Sequence, residues 1–113
     1  MLGLWVVQSL TNMAKKYYKP TAQMAAAARR GLKMREESTK SQKGGTLVGL
    51  ARARQFADRT PVSLDVVKRT YSFLSRAETY YKPGSNTPGT QAYLLWGGPA
   101  GLAWSRRILN ELN

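Results

Sequence analysis

Apolar residues recur along this chain at helical spacing and nowhere at the alternating spacing of strands. The clearest stretch follows Ser63. There Leu64, Val67, Tyr71, Leu74 and Tyr81 succeed one another at intervals of 3, 4, 3 and 7, one stripe of an amphipathic helix. Lys68, Arg69, Ser72 and Arg76 form the opposite face, with Asp65 four residues before Arg69 as a supporting pair. Upstream, Pro20 followed by Thr21 predicts a helix start, and Met24, Ala28 and Leu32 share a face, with Ala25 beside them, over residues 21–38. A second helix is predicted over residues 46–59, capped by Thr46 and ended by Thr60-Pro61-Val62. Near the C-terminus a short helix spans Gln91 to Trp96, and a Gly97-Gly98-Pro99 corner leads into a helix over residues 100–112. In that last helix Leu102, Leu109 and Leu112 make one stripe, flanked by Trp104 and Ile108. Trp96 and Trp104 are expected to close the core, since aromatic rings dominate burial in a small domain.

Between these helices the chain turns polar. Residues 38–45 are basic and glycine-containing, and residues 82–89 hold two Pro and two Gly, so both read as surface loops. Lys15-Lys16-Tyr17-Tyr18-Lys19-Pro20 is a basic, aromatic linker. It suits either stacking and backbone contacts to nucleic acid or a tether whose tyrosines pack on the domain. Residues 1–12 are apolar and uncharged, too short for a membrane span and without the basic start of a signal peptide. They are either an extension ahead of a start at Met13 or an arm whose Leu2, Leu4, Trp5, Val6 and Val7 dock on a neighbouring subunit. The expectation is an all-α fold: a single small domain of four to five short helices over residues 21–113, with an extended arm over residues 1–20.

Charge narrows the function. Eighteen Lys and Arg against six Asp and Glu give a net charge of +12 on 113 residues, and His and Cys are absent. That excludes Ser–His and Cys–His catalysis, disulfides and thiolate-bound zinc. The adjacent acids Glu36 and Glu37 point about 100° apart on a helix and make a poor metal chelate. No catalytic residue, metal, cofactor or small-molecule substrate is expected. Self-repulsion at this density calls for phosphate, an acidic surface or an assembly partner. Candidate contacts to nucleic acid or an acidic partner are Arg29, Arg30, Lys33, Lys43, Arg52, Arg59, Lys68, Arg69 and Arg76. Lys43-Gly44-Gly45-Thr46 opens a helix and suits phosphate, though it lacks P-loop spacing. Arg52 and Arg59, seven apart with Gln55 between them, predict a contact row. The helices on either side of residues 60–62 read either as a helix-turn-helix or as an ordinary hairpin. Arg29, Arg30, Lys33 and Arg35, in the C-terminal half of the first helix, are equally explained as a solvated face complementing the helix dipole.

Three blocks carry a resemblance: Ala25-Ala-Ala-Ala-Arg-Arg-Gly-Leu32, Gly45-Thr-Leu-Val-Gly-Leu-Ala-Arg-Ala-Arg54 and Tyr93-Leu-Leu-Trp-Gly-Gly-Pro-Ala-Gly-Leu-Ala-Trp104. With Val62–Arg69 and Phe73–Glu78 between them, residues 21–105 resemble a small domain of tailed-phage proteins, common in marine and cyanobacterial phages and often attached to head-morphogenesis proteins. The chain departs from that pattern at Arg76-Ala77-Glu78, where the family has Arg-His-Glu, and at Pro99, where it has an acid. The resemblance implies a phage origin and a virion location, reached from the host cytoplasm. On this expectation the protein is a non-enzymatic virion structural or assembly component. Its basic surface meets packaged DNA or acidic neighbours, and other virion proteins or further copies of itself are its partners. The alternative is a small DNA-binding protein, regulatory or sequence-independent.

Overall fold

A computed structural model of the chain describes residues 17–112, and its architecture is all-helical with one short strand pair. The five helices are α1 (Ala22–Glu36), α2 (Leu47–Ala57), α3 (Leu64–Ala77), α4 (Pro88–Leu95) and α5 (Gly98–Glu111). Strands β1 (Tyr17–Tyr18) and β2 (Val62–Ser63) pair antiparallel, Tyr17 opposite Ser63 and Tyr18 opposite Val62. Two residues per strand are too few for any sequence periodicity to reveal them.

Four helices begin where their caps dictate. The hydroxyls of Thr21, Thr46, Ser63 and Thr87 accept from the backbone N–H groups of Met24, Gly49, Val66 and Thr90. At α4 the cap lies earlier than the apolar pattern suggested. Pro88 occupies the first turn, where its missing N–H costs nothing, so residues 88 and 89 are helical rather than loop. The fifth start uses Gly97 (φ 105°) and Gly98 (φ 60°), a corner that other residues would adopt only under strain.

Helix α1 lies at the centre and packs on α2, α4 and α5, while α3 packs chiefly on α5. Its buried face is made of small residues, Ala25, Ala27, Ala28 and Gly31, with Met24. A Cβ on Gly31 would stand 2.9 Å from Leu95 N, so this position brings α1 against the α4 backbone. The core is finished by Phe56, Val67, Leu74, Tyr93 and Trp104, with Phe56 and Trp104 edge-to-face at 6.0 Å. Trp96 and Trp104 are both buried, as expected of them.

Three apolar assignments shift. Leu112 is exposed; the buried side of α5 is Leu102, Trp104, Ser105 and Ile108. Tyr81 lies beyond the end of α3, after a 3₁₀ turn at Glu78–Tyr80, and stacks on Tyr93 at 4.7 Å. The stripe of α3 itself is Val66, Val67, Thr70 and Leu74, with Leu64 and Tyr71 half-buried. Among the described residues, no helix is long and apolar enough to cross a membrane.

Both segments expected to be loops are held down by a polar network around Gln91, whose side chain is fully buried. Its Oε1 accepts from Gly44 N at 2.7 Å, and its Nε2 donates to Asn86 Oδ1 at 2.7 Å and to Ser38 Oγ. Ser38 Oγ and Asn86 Nδ2 both donate onward to Met34 O near the end of α1. One glutamine thus ties residues 38–45 and 82–87 to one helix end, and its partners satisfy the Met34 carbonyl there.

Candidate interaction site

The nine cationic candidates separate by what they already touch. Arg29 Nη1 donates to Ala57 O at 2.8 Å, satisfying the last carbonyl of α2. Lys43 Nζ donates to Arg35 O at 2.6 Å, and Arg35 Nε returns a bond to Gly44 O at 2.9 Å. Arg59 Nε donates to Pro20 O at 2.8 Å from a left-handed backbone, φ 54°. These cations fasten one element to another through main-chain carbonyls.

The expected row of Arg52 and Arg59 does not form. Arg59 lies past the end of α2, where the backbone leaves the helix, and Arg52 donates to Gln55 Oε1 at 2.9 Å. Nor do α2 and α3 pack along one another as a helix-turn-helix requires, since α2 lies on α1 and α3 on α5. Among the described residues, the side chains of Arg30, Lys33, Lys68 and Arg76 have no hydrogen-bonding partner, while Arg69 pairs with Asp65 at 2.8 Å in the open. Arg30 borders two other grooves, one with Gln23, Ala27 and Pro99 and one with Met34 and Glu37, and Arg76 lines neither. The arm residues Leu2, Leu4, Trp5, Val6 and Val7 lie outside the described residues.

On α3 the unpaired Arg76 and the Asp65-paired Arg69 border an apolar trough. Phe73, Arg76, Ala77, Tyr80, Gly89 and Ala92 line a groove of about 280 Å³. Phe73 and Arg76 also border its neighbour of about 230 Å³, whose other walls are Val48, Arg69, Ser72 and Trp96. In the floor, Phe73 stacks on the buried Trp96 at 5.3 Å. Two glycines let the walls close in. A Cβ on Gly89 would meet Tyr80 Cβ at 2.9 Å, and one on Gly49 would meet Trp96 Nε1 at 3.3 Å. The walls carry exposed apolar side chains as well, with Val48 54% and Tyr80 66% exposed.

Arg69 and Arg76 belonged to the sequence reading; Phe73, Tyr80, Val48 and Ala92 did not. A signal was present. Positions 69, 73, 76 and 80 share one helical face, so Phe73 and Tyr80 alternate there with Arg69 and Arg76. The groove walls from α2 and α4 have no sequence signal, because they meet α3 only through the tertiary fold.

Titration is perturbed at Tyr93, whose phenol is held above its ordinary pKa. Burial is the main cause, the charges of Glu78 and Tyr81 add to it, and Arg106 opposes it. Among the described residues, no three His, Cys, Asp or Glu come together as a metal site. The chain matches no protein-family model, no curated protein and no solved structure.

Proposed function

We propose that this protein is a non-enzymatic structural or assembly component of a tailed-phage particle, using its basic surface to hold acidic neighbouring subunits. The observation that carries the reading is the α3 trough: an apolar floor, exposed apolar walls, Arg76 without a partner among the described residues and Arg69 in an exposed pair. Monomeric proteins rarely leave such a face uncovered, whereas subunits in an assembly bury it. The resemblance of residues 21–105 to a phage domain supports the virion setting, and the net charge of +12 supports an acidic environment. Quantitative mass spectrometry of purified particles tests it. A fixed copy number per particle is expected; presence only in infected cells refutes it.

A second reading, a small DNA-binding protein, draws on Lys68, Arg69 and Arg76, all exposed along α3. Under that reading, affinity for duplex DNA falls steeply with salt. Replacing those three residues by Ala should then abolish it. Arg29 and Arg59 are poor choices for such a test, since their loss perturbs the fold itself.

A further inference from the structure

We propose that the trough on α3 receives a short segment of an acidic partner protein, apolar side chains entering its two lobes and carboxylates pairing with Arg76 and Arg69. This rests on the assembly reading and specifies the chemistry of what is held.

The order of features along the groove defines the ligand. Along α3 the lining runs from Arg69 through Phe73 and Arg76, which border both lobes, to Ala77. Tyr80, Gly89 and Ala92 wall the first lobe, and Val48 and Trp96 wall the second, which Arg69 borders. A complementary segment therefore reads apolar, acidic, apolar, acidic. Arg69 and Arg76 are seven residues apart on a helix, about 10 Å along its axis. Carboxylates about three residues apart in an extended segment span that distance, as do two turns of a helical one.

Arginine favours this pairing, because its planar fork meets a carboxylate with two parallel hydrogen bonds. Arg76 has no partner among the described residues, and the Arg69–Asp65 pair is exposed and readily exchanged. Charge also selects among occupants. A second copy of a +12 chain is repelled, and residues 1–12 contain no acid to meet the arginines. Nucleic acid is the weaker fit, since it needs a track of donors for successive phosphates, and here aromatic and alanine walls separate two cations.

The test uses the full chain as bait against a display library of random 16-residue peptides, followed by fluorescence anisotropy with the enriched peptide. The expected result is enrichment of an aliphatic or aromatic residue beside Asp or Glu. For that peptide, Arg76→Glu and exchange of its acids for amides should each weaken binding about tenfold. Arg76 is exposed, so its reversal leaves the fold intact; Ala92→Arg, which fills the first lobe, should abolish binding in a chain whose circular dichroism is unchanged. The proposal is overturned by no enrichment, by enriched peptides lacking acids, or by affinity indifferent to Arg76→Glu. It is equally overturned if duplex DNA competes for the same lobe, or if peptides bind only after residues 1–12 are deleted, which would make the arm the occupant. Absence from particles would remove the virion reading alone and leave this result standing.

Discussion

Replacing Gln91 by Leu tests whether the polar network is the joint that orders both loops. Leu has nearly the volume of Gln, so the change opens little cavity and isolates the hydrogen bonds. Gly44 N loses its acceptor at 2.7 Å while remaining buried, and a buried donor without a partner costs about 1–3 kcal/mol. Ser38 and Asn86 lie nearer the surface and recover water, adding roughly 0.5 kcal/mol each. The expected loss is therefore about 2–4 kcal/mol, a large share of the roughly 5–15 kcal/mol of a typical domain. Urea unfolding followed by far-UV circular dichroism reads it as a lower midpoint at unchanged slope. In a thermal scan the same loss lowers the midpoint by about 10–25 °C. A loss below about 1 kcal/mol would refute the reasoning, showing that water replaces the glutamine at Gly44.

Three further outcomes follow from particular positions. Gly31→Ala should lower the urea midpoint even though Ala favours a helix by about 1 kcal/mol, because the added Cβ would stand 2.9 Å from Leu95 N and 3.0 Å from Leu94 Cβ. Tyr93 has a folded pKa raised above 10.0, so the stability its neutral phenol contributes is complete below pH 10 and lost as pH climbs beyond it. Wild type should accordingly lose more stability between about pH 9 and 11 than Tyr93→Phe does, measured by urea midpoints at each pH. Arg59→Ala and Arg59→Gly both remove the bond to Pro20 O, but Gly relieves the left-handed backbone at φ 54°. The Gly variant should be the more stable by about 0.5–1 kcal/mol in the same assay, and equal midpoints would refute the strain argument.

The sequence discloses what local chemistry decides. Thr21, Thr46 and Ser63 cap helices where their residue types predict, and the glycine corner at 97–98 appears as read, because capping and backbone freedom depend on near neighbours. Leu112 and Tyr81 were misplaced for the opposite reason: helical periodicity fixes a direction around an axis, not whether another element covers that side. The cations show the same divide. Nothing near Arg29 or Arg59 in the chain reveals that each fastens a carbonyl 28 or 39 residues away. A run of Ser, Gly and Lys at 38–45 looks flexible only until Gln91, far along the chain, is seen holding it.

The N-terminal entry to the domain has a mechanical consequence. Beyond the β1–β2 pairing, Lys19 O accepts from Trp104 Nε1 at 3.0 Å, and Pro20 O accepts from Arg59 Nε at 2.8 Å. Tension applied through the chain ahead of Tyr17 would load these fastenings in series before it reached the first turn of α1. Trp104 passes that load to α5, and β2 passes it to the start of α3, the helix that carries the trough. Force applied at that end is thereby delivered to α3, so it would strain the walls of the trough as well as the entry to α1.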